Sequence, residues 1–172
     1  IVDEPGVADF RVELDLNAPG ERTRANETIV GQTVTSVTSV TNVGSRKDTK
    51  PVILRVDGQQ VDQADLSVEP GQNATTELTY QTQPEDVPDG TAENPLGVEV
   101  ESDNSIGSVD VLVLAEIHRY TDPETRVVTT LGLFDAIDDW RNDEIPTLFL
   151  FDVIDAWRSE QPVPPSGDIP ED

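Results

Sequence analysis

Apolar and polar residues alternate along the first two thirds of the chain, from residue 7 to about residue 115. The segment Ala8–Leu16 is typical, because every second residue from Phe10 onwards is apolar. This period of two predicts strands with one buried face. Runs rich in Val and Thr, separated by turn residues, predict seven strands: Ala8–Leu16, Thr33–Val43, Val52–Val56, Leu66–Val68, Thr75–Tyr80, Leu96–Glu101 and Val109–Ala115.

Turn residues separate these runs. Asp57-Gly58 is a strong signal for a two-residue hairpin, and Glu69-Pro70-Gly71 predicts a second turn. The valines of the run Thr33–Val43 recur every third residue, so we expect either a bulge or contacts on both faces of that strand. Seven short strands in about 110 residues predict a mainly β fold, an immunoglobulin-like sandwich of two packed sheets.

The period changes after Tyr120. Residues 131–141 recur as residues 148–158, and most of the aligned positions are identical. Both copies have the apolar spacing of an amphipathic helix. Because the connection Asn142–Pro146 is short, we expect a small two-helix hairpin with antiparallel helices. Thr129 or Thr130 can cap the first helix, and Thr147 can cap the second.

One face of each predicted helix carries large apolar side chains, and aspartates lie opposite. A two-helix hairpin buries little surface by itself, so this face needs a cover. We expect it to form the core or to dock against the sandwich or against another subunit. The six residues of this docking or core face are Leu133, Ile137, Trp140, Leu150, Ile154 and Trp157.

These patterns divide the chain into three parts. Residues 1–117 form the β-sandwich with its N-terminal arm, and residues 118–159 form the helical hairpin. Residues 160–172 contain four prolines and several acidic residues. We interpret them as an extended, Pro-rich acidic tail.

The charge of the chain points to its surroundings. Its 172 residues include 35 acidic and 11 basic ones, which gives a formal net charge of -24. In about 1 M salt the Debye length falls to roughly 3 Å, so most of the self-repulsion is screened. We therefore expect a high-salt environment and loss of structure in dilute buffer. Nucleic acid is excluded as a partner by the same charge, and no apolar run is long enough to span a membrane.

Composition also disfavours an enzyme. The chain has no Cys and a single histidine, His118, which we interpret as structural. No phosphate-binding loop, nucleophile elbow or metal-binding motif is present, and neighbouring carboxylates are expected by chance among so many acids. We predict no catalytic residues and no cofactor.

Three strings occur in order along the β region: Thr41-Asn42-Val43-Gly44, the segment Pro51–Gly58, and Val68-Glu69-Pro70-Gly71. In sequence and spacing they resemble the CARDB domain, the cell-adhesion-related domain of bacteria and archaea, over about residues 7–115. The resemblance implies a seven-stranded sandwich that serves as a spacer in secreted and surface proteins. It implies no catalytic residues. The Pro- and Asp-rich segment Gln83–Pro95 departs from the family pattern, and we expect an exposed loop there.

Residues 120–158 resemble the dockerin-like tandem repeat of haloarchaeal surface proteins. Val128-Thr129-Thr130-Leu131 and Ile145-Pro146-Thr147-Leu148 precede the two helices. True dockerins place a calcium loop before each helix. Here the first loop offers only Asp122 and Glu124 as weak metal ligands, and Arg126 follows them. Calcium needs six to eight oxygens, so we predict that neither loop holds it.

Two sequons lie in turn-like contexts, beginning at Asn26 and at Asn73. Both asparagines are candidate glycosylation sites in an extracellular glycoprotein. Chance occurrence is the alternative, because such triplets are common.

Three functional hypotheses follow. The first is a non-catalytic, secreted or cell-surface adhesion module of a halophilic archaeon, with a helical docking element and protein or glycan partners. The second is a self-assembling subunit of an extracellular filament, in which the N-terminal segment Ile1–Leu16 adds a strand to the next molecule. The third is a calcium-dependent dockerin that binds a receptor domain.

Overall fold

The computed structural model describes residues 6–17, 26–87 and 95–164. The fold is mainly β with two C-terminal helices, as predicted. The eight strands are β1 (Phe10–Asn17), β2 (Glu27–Ile29), β3 (Thr33–Asn42), β4 (Asp48–Val56), β5 (Gln59–Val68), β6 (Asn73–Gln81), β7 (Leu96–Ser102) and β8 (Ser105–Leu114). The helices are α1 (Thr130–Arg141) and α2 (Thr147–Ser159).

Each of the seven predicted runs overlaps a strand. The strand that the prediction missed is β2, which has only three residues and therefore shows no alternation. The turn at Asp57-Gly58 joins β4 to β5, with φ angles of 47° and 81° that fit the predicted hairpin. The immunoglobulin-like arrangement of the two sheets stays a prediction.

Contacts divide the described residues into two compact units. The first, here called the two-sheet unit, comprises residues 6–17, 33–81 and 96–111. The second, the helical unit, comprises residues 26–32, 82–87, 95 and 112–164. Strand β8 contributes Ser105–Val111 to the first and Leu112–Leu114 to the second. The boundaries inferred from the sequence, 1–117, 118–159 and 160–172, stay a prediction.

The two-sheet unit contains two antiparallel sheets. One has the strand order β1-β3-β6, and the other has the order β8-β7-β4-β5. In both sheets alternate side chains are buried, which is the period-two pattern that the sequence showed. The core consists of these large apolar residues: Phe10, Val34, Val40, Val52, Leu54, Val56, Val68, Leu78, Leu96, Val98, Val100 and Val111.

The valine spacing of strand β3 does not produce a bulge in that strand. Its pairing with β1 and β6 is regular throughout, so Val34 and Val40 face inwards while Val37 faces outwards. Two hydroxyl residues, Ser36 and Thr38, fill the inward positions between those valines and hydrogen-bond each other at 2.8 Å. The valines therefore lie on both faces of β3. A register shift does occur in β4, between Leu54 and Arg55.

The helical unit begins with strand pairing and ends with the helix pair. Strand β2 runs parallel to Leu112–Leu114, and a 3-10 helix, Glu116–Tyr120, follows. The Thr129 hydroxyl accepts a hydrogen bond from the Gly132 amide and caps α1, as predicted. The predicted cap Thr147 is wrong, because Pro146 is the N-cap residue and Thr147 is already helical.

Small apolar residues let the two helices pack closely. Ala136 on α1 and Val153 and Ala156 on α2 are buried, and the ring of Tyr120 lies 6.4 Å from that of Phe149. The start of α1 and the end of α2 line one groove, and Trp140 Nε1 donates to Thr147 Oγ1 at 3.0 Å. Opposite helix ends therefore lie together, as in an antiparallel pair. Neither helix has the length and apolar character needed to cross a bilayer.

Candidate functional site

The string Thr41–Gly44 lies at the end of β3, where Asn42 is completely buried. Its side-chain amide donates to the carbonyls of Arg46 at 2.8 Å and Val68 at 2.9 Å. Its side-chain oxygen accepts from the amides of Gly44 at 3.0 Å and Asp9 at 3.3 Å. One side chain thus joins β3, β5, the loop after β3 and the segment before β1.

The backbone around Asn42 extends this junction to the third string, Val68–Gly71. Gly71 adopts φ 73° and donates its amide to the Asn42 carbonyl at 2.8 Å. A Cβ on Gly44 would lie 2.1 Å from the Val7 carbonyl oxygen, so only glycine fits there. Two of the three strings that carry the family resemblance therefore meet at one buried asparagine, here called the Asn42 junction.

The middle string ends in the hairpin turn between β4 and β5. The Asp57 side chain accepts from the Gly97 amide at 2.8 Å, and the Asp57 amide donates to the Gly97 carbonyl at 2.8 Å. This turn therefore also holds β7. The polar groups of the motif at this turn are engaged in structure and do not converge on a ligand.

Two strands of the two-sheet unit each donate one backbone amide from the outer edge to a side chain. On β1 the Val12 amide donates to the Ser105 hydroxyl at 3.0 Å, and on β6 the Thr79 amide donates to an Asp62 carboxylate oxygen at 2.9 Å. The interpretation of Ile1–Leu16 as a free donor segment needs correction. Residues 10–16 already pair with β3, and Phe10 is fully buried in the same unit. Residues 1–5 lie outside the described residues.

The loop before α1, where the dockerin resemblance implies calcium, is built around Asp122. One oxygen of this carboxylate accepts from the Glu124 amide, the Thr125 amide and the Thr125 hydroxyl at 2.8 to 3.1 Å. The carboxylate therefore closes a turn. Among the described residues no group of three or more acidic, His or Cys side chains is placed to hold a metal ion. The absence of calcium stays a prediction.

Arg126 turns inwards from the same loop. Its guanidinium pairs with Glu27 of β2 at 2.5 Å, and both side chains are largely buried. Its Nη1 atom is buried without a hydrogen-bond partner. The loop therefore carries the positive charge of Arg126, and the ion pair with Glu27 links the loop to β2.

His118 is fully buried in the helical unit. Its Nε2 lies 2.8 Å from the carbonyl oxygen of Pro164, and its Nδ1 lies 3.4 Å from the Thr121 hydroxyl. Burial lowers the pKa of His118, the bond to Pro164 opposes this, and the positive charge of Arg126 adds to it. The prediction of a structural histidine agrees with this setting.

Tyr120 makes the second polar contact of this core. Its hydroxyl donates to an Asp139 oxygen on α1 at 2.7 Å. Burial is the main reason that the pKa of Tyr120 rises well above its usual value, and the bond to Asp139 adds to it. The contact anchors α1 to the 3-10 helix.

The six residues predicted for the docking or core face do not share one environment. Leu133 and Leu150 are buried in the core, while Ile137, Ile154 and Trp157 are partly buried against it. Trp140 is 39% exposed. Their role in docking stays a prediction.

Large apolar residues lie instead on the outer side of both helices. Leu131 and Phe134 of α1 are 72% and 56% exposed, and their repeat equivalents Leu148 and Phe151 of α2 are 77% and 53% exposed. We call these four residues the outward Leu/Phe pairs. The sequence pattern predicted one apolar face per helix and did not single out these four residues. Their identity in both copies was the available signal.

The two sequons occupy different positions. Asn73 is the exposed first residue of β6. Asn26 is also exposed, with φ 60°, and precedes β2. Both side chains are accessible, and their glycosylation stays a prediction.

Two open cavities lie on the described surface, one in each unit. One of about 460 Å³ lies in the two-sheet unit beside Asp9 and Asp103. There Lys50 Nζ lies 2.6 Å from Asp103 and 5.2 Å from the centre of the Phe10 ring, and its hydrogen bond lowers the pKa of Asp103. The other, about 560 Å³, is the groove at the start of α1.

Comparisons with known proteins assign no family to the chain. No protein-family model matches it, and no curated protein matches it. Among solved structures, the CARDB domain of a Pyrococcus furiosus protein matches with a TM-score of 0.45 and 15% identity. That match covers 62% of this chain and 94% of the other.

β-Glucosidases also match. An enzyme from Erythrobacter marinus gives a TM-score of 0.46 at 14% identity, and one from Listeria innocua gives 0.45 at 12%. Each match covers 62% of this chain. The chain spans only 16% of the length of either enzyme.

Proposed function

We propose that this chain is a non-catalytic adhesion or structural module of an extracellular surface in concentrated salt. In this proposal the two-sheet unit serves as a rigid spacer, and the helical unit docks to another protein. The environment follows from the net charge of -24, which molar salt would screen. The organism would be a halophilic archaeon, as the resemblance to the haloarchaeal repeat implies.

The spacer role rests on how the family-like strings are used. Asn42 makes four hydrogen bonds while fully buried. Gly44 permits the close approach of the Val7 backbone, and Gly71 adopts the positive φ of the neighbouring turn. Buried polar groups that are fully hydrogen-bonded rigidify a core and specify one arrangement. These residues therefore support stiffness rather than ligand binding.

The docking role rests on the outward Leu/Phe pairs, and this is the observation that carries the proposal. Residues three apart on a helix share a face, so each helix presents one exposed Leu beside one exposed Phe. Their exposure leaves them out of the core of the helical unit. Contiguous exposed apolar groups with polar neighbours mark interaction sites on soluble proteins.

The negative charge around the outward Leu/Phe pairs favours one kind of partner. Exposed aspartates lie on the same helices as the outward pairs: Asp135, Asp138, Asp152 and Asp155. A second copy of this chain would bring like charges together, whereas a partner with an apolar cleft and Lys or Arg at its rim would complement them. We therefore commit to a separate protein of that chemistry.

Strand addition is the weaker candidate. The hydrogen bonds to the outer edges of β1 and β6 would have to break before another strand could pair there. The described part of the two-sheet unit thus gives no specific support to a filament built in this way.

Capture from the cell envelope tests docking. Immobilised wild-type chain in molar NaCl should retain a protein that the F134S/F151S variant does not retain. Ile106→Ser is the matched control, because Ile106 is 61% exposed but belongs to the two-sheet unit. The retained protein, once purified, should bind wild type and I106S equally. Equal binding to F134S/F151S would overturn the proposal.

A further inference from the structure

Residues 161–164 lie against the helical unit, although the sequence predicts an extended tail from residue 160. Helix α2 ends at Ser159, and Glu160 adopts a left-handed conformation with φ 53°. The next residues turn back so that Val163 is 5% exposed and belongs to the apolar core of the unit. We call residues 161–164 the strap.

Two hydrogen bonds hold the strap. The Val163 amide donates to the Arg126 carbonyl at 2.9 Å, and His118 Nε2 lies 2.8 Å from the Pro164 carbonyl oxygen. A carbonyl oxygen only accepts, so Nε2 carries the proton. Neutral His118 then has no proton on Nδ1, where the Thr121 hydroxyl lies at 3.4 Å.

The surroundings of His118 contain two opposite charges and no free water-exposed surface. Arg126 faces it from the loop before α1, and Glu27 faces it from β2. These two groups pair with each other at 2.5 Å, so the carboxylate is already engaged by the guanidinium. Burial and the proximity of Arg126 disfavour a positive charge on the imidazole, and together they outweigh the Pro164 carbonyl and Glu27, which favour it.

We propose that the strap is an acid-sensitive latch on the helical unit. It covers neutral His118 when closed, and it opens in acid because opening hydrates the imidazolium and removes the cost of burying its charge beside Arg126. Opening the strap breaks two hydrogen bonds and removes one valine from the core, far less than unfolding the unit would break. Segments with few contacts open locally at lower cost than the whole structure. Opening also lets water reach the imidazole.

The direction of the pH dependence follows from linkage. In the closed state the pKa of His118 is lowered, and in the open state it returns to about 6.5. The open state therefore binds more protons, so the closed state is fully favoured above about pH 6.5. Below that value the opening equilibrium rises about tenfold per pH unit until the lowered pKa is reached.

Hydrogen exchange of the Val163 amide in the full chain tests the latch. We expect its protection, corrected for intrinsic exchange and measured in constant molar NaCl, to be flat above about pH 6.5. Below it, protection should fall by up to tenfold per pH unit. The Leu150 amide, which donates to Pro146 within the same unit, reports the rest of the structure and should stay protected.

Matched variants separate titration from packing. His118→Gln keeps an amide donor for Pro164 but cannot titrate, so Val163 should show no pH dependence. Val163→Ala should open more readily at every pH while retaining the pH slope. If H118Q does not fold, NMR titration of His118 in the wild type replaces it. An ordinary pKa near 6.5 with Val163 still protected would overturn the proposal, as would an unchanged slope in H118Q.

Discussion

Both units bury hydrogen-bonded polar side chains, and they differ in how they place their phenylalanine rings. The two-sheet unit buries polar side chains such as Asn42, Ser36 and Thr38 and hydrogen-bonds them within its core. The helical unit builds its helix contact from small apolar residues and leaves larger ones, such as Phe134 and Phe151, exposed. The second arrangement leaves apolar surface available for contact.

This difference shows what the family-like strings and the helical repeat each indicate about the structure. In the two-sheet unit the residues of the family-like strings hydrogen-bond strands and turns to one another, so these strings indicate the fold. In the helical unit the repeat duplicates both the core positions and the outer ones. Leu150 and Leu148 illustrate this, since they lie two residues apart at 6% and 77% exposure. A repeat therefore preserves surface as well as core.

The largest expected effect is the loss of both units when salt is removed. Dialysis from molar NaCl into dilute buffer without divalent ions should abolish the β signal in far-UV circular dichroism, because repulsion among the acidic residues is no longer screened. Both Trp residues of the chain, Trp140 and Trp157, belong to the helical unit, so a red shift of their emission reports that unit. Unchanged spectra would contradict the high-salt interpretation.

The next effect tests the Asn42 junction. Asn42→Ala removes four hydrogen bonds and leaves buried backbone groups unpaired. It should lower the free energy of unfolding by about 4 kcal/mol in molar salt, at roughly 1 kcal/mol for each group. Denaturant titration followed by circular dichroism measures this change.

The matched control uses the same residue type on the surface. Asn73→Ala, in unglycosylated protein, should change the free energy of unfolding by less than about 0.5 kcal/mol, since Asn73 is exposed. Similar values for N42A and N73A would mean that the junction does not stabilise the two-sheet unit.

A smaller effect separates core from surface within one helix. Leu150→Ala should destabilise the helical unit by about 3 kcal/mol because it leaves a cavity. Leu148→Ala should cost less than about 0.5 kcal/mol. Trp emission during denaturant titration distinguishes the two. Equal losses would show that Leu148 is part of the core and that the outward pairs are not a free surface.

Alternation made most of the β region predictable. Every run with a clear period of two contains a strand, since one buried face imposes that period on the sequence. Strand β2 was not predictable because three residues carry no period. The Asn42 junction could not be predicted either, because its partners Asp9 and Val68 lie 33 and 26 residues away and meet it only through the fold.

The helical unit was predictable in its helices but not in its polar contacts. The 17-residue repeat located both helices, and Thr129 was an adequate capping signal. The pair between Arg126 and Glu27 and the contact of His118 with Pro164 join residues from distant segments. No local pattern encodes such pairs, so the strap appeared in the sequence only as a Pro-rich tail.

The central claim is that the outward Leu/Phe pairs bind a partner protein. It is tested most directly by the affinity of the captured envelope protein for variants of each helix. Titration calorimetry in molar NaCl would compare wild type, F134S, F151S and F134S/F151S, each checked for an unchanged Tm. The docking account predicts that at least one single variant weakens binding tenfold or more and that the double variant abolishes it. A double variant with wild-type Kd and wild-type Tm would contradict the account.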